Sequence, residues 1–155
     1  MGKRSDFERV PRDYYPTPLA AVEPLISHLP YSFDYVEPCA GDGRLIDHLD
    51  KLTDSHGECL FASDIEPRGS YIATCNALEI DITDLGIDFC ITNPPWERKI
   101  LHPFIERWMQ MCPTWLLFDA DWMHTKQSAI LMSYCEKVVS VGRVKWIEGS
   151  KSVGK

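Results

Sequence analysis

The chain has 155 residues, 45% of them hydrophobic and 25% charged, which suits one globular domain of ordinary composition. It holds no run of about 18 apolar residues that could span a membrane, and its charged first ten residues do not read as a secretory leader. Six cysteines (39, 59, 75, 90, 112 and 135) are scattered without a C-x-x-C pair, which argues against a zinc site and for reduced thiols in a cytosolic compartment.

The net charge of −7 is unevenly spread: residues 1–12 carry +2, residues 126–155 carry +4, and the stretch between them carries −13. The acidic middle suits a cationic ligand. For the basic ends two readings stand, a grip on phosphates or simple solvated segments.

Residues 1–16 read as an irregular basic arm, 17–148 as the folded domain and 149–155 as a flexible tail. Thr17 is a candidate helix cap, with Pro18 at the first helical position. Leu19, Val22, Leu25, Ile26 and Leu29 then recur at helical spacing until Pro30. Residues 33–37 form a first strand, and the run from Glu37 to Leu45 reads as strand end, glycine turn and helix start. Gly41 and Gly43 allow a tight turn and a close backbone approach to a ligand. Leu45, Ile46, Leu49 and Leu52 mark the helix that follows. Ile46 replaces the third glycine of a dinucleotide fingerprint, and no Gly-Lys-Ser/Thr follows, so the turn is neither that fingerprint nor a P-loop. Glu37 before the turn favours a ligand carrying positive charge or hydroxyls over a phosphate.

A second strand, 59–63, delivers Asp64 about 20 residues beyond the glycines, where a carboxylate in a βαβ unit takes ribose hydroxyls. Strands are expected at 71–75 and 87–92. The second of these leads into Asn93-Pro94-Pro95-Trp96. Two successive prolines force a rigid, extended exit. It holds the Asn93 side chain and the Pro94 carbonyl as two acceptors pointing one way, with Trp96 as a flat surface beside them. A planar exocyclic amino group fits that arrangement; the plainer reading is a proline turn closing a strand. A helix at 99–111, a strand at 115–118 and a helix at 123–135 follow. Segments 138–141 and 144–147, split by Gly142, complete the pattern as a sixth strand or a hairpin.

Strands alternating with helices imply an α/β fold whose mostly parallel sheet is covered by helices on both faces, with right-handed crossovers. Ligands then bind beyond the carboxyl ends of the strands. The Glu37 turn, Asp64, Asn93 and residues 119–122 all fall at such ends, so one cleft is expected to gather them.

Six stretches in this order, Asp13-Tyr14-Tyr15-Pro16-Thr17-Pro18, Glu37-Pro38-Cys39-Ala40-Gly41-Asp42-Gly43, Ser63-Asp64-Ile65-Glu66-Pro67-Arg68, Asn93-Pro94-Pro95-Trp96, Leu116-Leu117-Phe118-Asp119-Ala120-Asp121-Trp122 and Gly142-Arg143-Val144-Lys145-Trp146-Ile147, resemble the small phage-type adenine-N6 DNA methyltransferases that use S-adenosyl-L-methionine (AdoMet). The resemblance implies a Rossmann-like class I AdoMet methyltransferase fold. It implies cofactor contacts from Tyr15, Thr17, Glu37, Pro38, Cys39, Ala40, Gly41, Asp42, Gly43, Asp64, Ile65, Asn76 and Ala77. Asn76 stands where that family has an acidic residue reading the cofactor adenine.

The resemblance makes Asn93, Pro94, Pro95 and Trp96 the catalytic run, with Trp96 stacking on an adenine flipped out of DNA. Trp122 is a second wall of the substrate pocket or a core tryptophan, and His102 and His124 are structural. Neither a metal nor a membrane is expected. The setting implied is the cytoplasm of a bacterial or phage-infected cell. The family usually continues with another strand where this chain reaches Lys155, so the final antiparallel strand is expected to be missing. The edge near 138–147 is then expected to self-associate or to lead into disorder. Other N-methyl acceptors, RNA bases or glutamine amides, fit the same catalytic run, and a silent AdoMet-fold binding subunit is the reading from a different class.

Overall fold

The computed structural model describes Pro11 and residues 14–147; the first ten residues of the expected arm, positions 12 and 13, and the expected tail lie outside them. Five strands, β1 (Phe33–Glu37), β2 (Gly57–Asp64), β3 (Ala73–Thr74), β4 (Phe89–Thr92) and β5 (Thr114–Leu116), form one sheet in the order β3-β2-β1-β4-β5. Every pairing is parallel. Among the described residues four α-helices accompany it: α1 (Leu19–Val22), α2 (Arg44–Leu52), α3 (Arg98–Met111) and α4 (Ala129–Met132).

Side chains alternate across the sheet, so each strand feeds two cores. On one face Phe33 and Tyr35 of β1 and Ile91 of β4 pack with Val22 of α1 and Leu45, Ile46 and Leu49 of α2. On the other, Val36 and Cys90 meet Phe104 and Trp108 of α3. Helices thus cover both faces, as expected of a parallel sheet buried on both sides. The chain runs outward from β1 through β2 to β3, then returns to lay β4 against the other side of β1. The strand order reverses between β1 and β4, so the crevice beyond their carboxyl ends is the topological switch point. Glu37 ends β1 and Asn93 follows β4.

Three expectations need correction. The first helix is α only through Val22 and continues as a 3-10 segment, Glu23–His28. Pro24 causes the change, because it lacks an amide hydrogen and its ring crowds the carbonyl four residues back. The expected helix at 123–135 is broken into 3-10 segments Ala120–His124 and Lys126–Ser128, followed by α4. Thr125 is extended between them, and its hydroxyl bonds to Trp122 O at 2.9 Å. Ser128 Oγ donates to Met123 O and Thr125 O at 3.1 and 2.8 Å. Short hydroxyl side chains compete in this way for helix carbonyls.

The expected sixth strand is also absent among the described residues, since 135–147 takes no regular structure. Gly142 sits at φ +71°, which interrupts the extended run. The segment is still anchored: Val144 is 6% exposed, and the Trp146 ring stands edge-on to Trp96 with centroids 5.5 Å apart.

Candidate functional site

A cleft of about 600 Å³ opens at the switch point, within the size range of small-molecule sites. Of the residues singled out from the sequence, Tyr15, Thr17, Glu37, Pro38, Cys39, Ala40, Gly41, Asp42, Asp64, Ile65, Asn76, Ala77, Asn93 and Pro95 line it. Gly43, Pro94, Trp96 and Trp122 do not.

The glycine turn is built by local bonds. Gly41 and Gly43 lie at φ +56° and +86°, where a side chain is strained. Gly43 N donates to Ala40 O at 2.8 Å, and Ala40 N to Ser63 O at 2.8 Å. Asp42 Oδ1 accepts from Arg44 N at 3.0 Å, and its Oδ2 lies 3.3 Å from Arg44 Nη2. Asp64 ties two loops together: Oδ2 accepts from Gly41 N at 2.9 Å and Oδ1 from Glu66 N at 2.8 Å. A carboxylate has about four acceptor positions, so these two bonds leave capacity for a ligand's hydroxyls. Asn76 folds onto its own loop, accepting from Leu78 N at 3.0 Å and donating to Glu79 Oε1 at 3.4 Å.

Glu37 is the unusual group. It is 1% exposed, and neither carboxyl oxygen has a hydrogen-bond partner among the described residues. Burial pushes its acid up to about 8; the neighbouring Thr92 side chain offsets part of that, the Asp64 charge adds to it, and the Asn93 backbone offsets a little more. Neither Thr92 nor Asn93 closes a hydrogen bond to it, and Thr92 Oγ1 is itself buried and unpartnered. An orphaned buried carboxyl is costly in isolation and signals a missing cationic or hydrogen-bonding partner. Among the described residues, five acidic ones face the cleft, Glu37, Asp42, Asp64, Glu66 and Glu97, against the guanidinium of Arg68. Burial likewise pushes the Cys39 thiol well up, so it stays an uncharged wall.

Asn93 lies beside Glu37, at the end of the adjacent strand. Its Nδ2 donates to Thr17 Oγ1 at 3.3 Å and to Tyr15 O at 3.5 Å. Thr17 therefore serves Asn93 rather than capping α1, whose cap residue is Pro18. His48 Nε2 is bonded to Thr17 O at 3.0 Å and steadies the segment. Asn93 Oδ1 accepts from Trp96 Nε1 at 3.3 Å, and the same indole N–H is shared with Leu117 O at 3.2 Å. Trp96 is thus tied to Asn93 and does not line the cleft. Trp122 is 8% exposed in a separate apolar cluster with Leu101 and Leu131, and its indole N–H donates to His102 Nε2 at 3.0 Å. Of the two readings of Trp122, this placement matches the core tryptophan.

Sequence reasoning missed the cover. Tyr14 lies over the glycine turn, and a Cβ added to Gly41 would come within 2.9 Å of its ring. Arg68 stacks on the Tyr14 ring, with Cζ 3.5 Å from the ring centroid, while its backbone N donates to Gly41 O at 2.8 Å. The one available signal was the adjacent aromatic pair Tyr14-Tyr15 beside Pro16 at the edge of the arm. Among the described residues no group of three or more His, Cys, Asp or Glu could hold a metal ion, and no helix is long and apolar enough to cross a membrane. No protein-family model matches this chain, and no curated protein matches it at a significant level.

Proposed function

We propose that this chain is an AdoMet-dependent methyltransferase of Rossmann-like class I architecture that acts on the exocyclic N6 amino group of adenine in DNA. One observation carries the reading: one switch-point cleft brings together an orphaned buried Glu37, further carboxylates and the Asn93 amide. The acidic lining suits a ligand bearing a sulfonium and an ammonium group. Asp64, with spare acceptor capacity, suits its ribose hydroxyls, and the uncharged walls at Pro38, Cys39 and Ala77 suit its flat base. When bound, AdoMet supplies an activated methyl group.

The residues of the chain do the rest. Asn93 Oδ1 would accept an amino hydrogen, which favours a tetrahedral nitrogen whose lone pair is free to attack. It would also stabilise the positive charge that develops on that nitrogen as the N–C bond forms and the S–C bond breaks. The proton shed by the methylated nitrogen passes to solvent, so a strong general base is unnecessary. Holding nucleophile and methyl carbon in line supplies much of the remaining acceleration.

The test is to incubate the protein with methyl-labelled AdoMet and, separately, duplex DNA, single-stranded DNA, RNA and cellular protein. Label recovered in N6-methyldeoxyadenosine is expected. Label in RNA bases or glutamine amides would replace the substrate assignment, and cofactor binding without any transfer would make the chain a binding subunit. Failure to bind AdoMet would remove the reading altogether.

A further inference from the structure

One of the two acceptor positions of Asn93 Oδ1 is already filled by the protein itself. Asn93 Nδ2 is committed to Thr17 and Tyr15, which fixes the orientation of the amide and turns Oδ1 into the acceptor. That oxygen receives the indole N–H of Trp96. The same N–H leans on Leu117 O, and the Trp96 ring is met at 90° by Trp146. Trp146 is carried by a segment without regular structure, pinned by the buried Val144 two residues before it.

We propose that Trp96 is parked in this arrangement: its indole N–H is a placeholder for a substrate amino hydrogen, and Trp146 is the positioning residue that keeps it there. The inference rests on the amino-group substrate proposed above and adds a specificity rule to it. When a substrate enters, Trp96 swings away and exposes its ring for stacking, and Asn93 Oδ1 exchanges one N–H donor for another. A base carrying an exocyclic amino group restores the lost bond. A base with a carbonyl in that place leaves Oδ1 facing another acceptor, and a buried acceptor without a donor costs enough to reject it. Parking therefore keeps Asn93 satisfied between turnovers and lets in only donors.

The experiment has two arms. In the first, exchange of the Trp96 indole hydrogen is followed by NMR in the free protein, with the resonance assigned by its loss in Trp96→Phe. Protection well above that of an exposed indole is expected, falling at least tenfold in Trp146→Ala and only partly in Trp146→Phe. Solvent-like exchange in the unaltered protein, or protection indifferent to both Trp146 variants, would overturn the proposal. This arm needs no substrate, so it stands whether or not adenine is methylated.

The second arm measures methyl transfer and AdoMet affinity for Trp146→Ala. Release of the placeholder predicts a KM for the adenine substrate several-fold lower, with cofactor affinity unchanged. A KM that rises together with weaker cofactor binding and a lower Tm would mean that Trp146 only supports the fold. Absence of methyl transfer in the unaltered protein would instead count against the proposed function, leaving the first arm to decide the parking.

Discussion

At Glu37, burial opposes ionisation while a cationic ligand demands it. The carboxyl is held up to about 8, so below that pH the protein must release a proton from Glu37 to bind a cation there. AdoMet affinity should therefore rise with pH up to about 8 and level off above it, and calorimetry in buffers of different ionisation enthalpy should show proton release at pH 7. The stability effect has the opposite sense. A folded-state value above the ordinary 4.5 gives stability that is fully present below about 4.5 and is lost as pH rises toward 8. Glu37→Gln should stabilise the fold at pH 7 by up to about 3 kcal/mol, do little at pH 4, and weaken cofactor binding. Denaturant melts at the two pH values check this; equal effects at both would show that Glu37 is not a buried neutral acid.

Asp64 poses the converse case, because it already holds Gly41 N and Glu66 N. Asp64→Ala should weaken AdoMet binding by roughly 1–3 kcal/mol through loss of charge-assisted bonds to ribose and loosening of the turn. Unchanged affinity would remove the ribose assignment.

Among the elements, those defined by chain-local rules were legible and those set by contacts were not. The Phe33–Glu37 strand, the glycine turn and the α2 stripe of Leu45, Ile46 and Leu49 follow from alternation, backbone freedom and helical spacing. Pro24 was visible too, but the helical spacing of Leu19, Val22, Leu25, Ile26 and Leu29 does not separate an α-helix from one that tightens to 3-10 after Val22. The same holds for 138–147: a valine-rich run with strand propensity takes no strand because propensity needs a neighbouring strand to act on. The convergence of Asn93, Asp64 and the Glu37 turn was readable from strand ends alone. The Tyr14–Arg68 stack was not, since residues 54 positions apart meet only through the fold. That stack makes Gly41 a sensitive position. Gly41→Ala should cost about 1–2 kcal/mol for the left-handed backbone and should also displace the Tyr14 ring. Thermal melts read the first effect and cofactor affinity the second; an unaltered Tm would show that the turn relaxes freely.

For the whole molecule, the charge layout sets how a polyanion can approach. The cleft wall is acidic around Glu37, Asp42 and Asp64, whereas Arg98, Lys99, Lys126, Arg143 and Lys145 are partly or fully exposed in the β4-to-C-terminal part of the described chain. Binding to duplex DNA should be weak, loosely sequence-specific and steeply salt-dependent, because these contacts reach phosphates and not base edges. Titration at several salt concentrations gives the slope. Tight binding indifferent to salt would contradict the layout.

Asn93 is braced by Tyr15 and Thr17 from before the first helix, and Trp96 by Trp146 from after the last. Both braces are peripheral to the two apolar cores on the sheet faces, which are built from residues between Val22 and Cys112. Competence and foldedness are thereby separable quantities in this molecule. A protease that nicks the segment bearing Tyr15 and Thr17 would leave a cooperative sheet with its far-ultraviolet spectrum intact and the proposed methyl transfer lost, whereas a nick before Trp146 would only free Trp96. Selection acting on turnover would accordingly be felt at the two flanks of the chain, while selection for persistence in the cell would be felt in its middle.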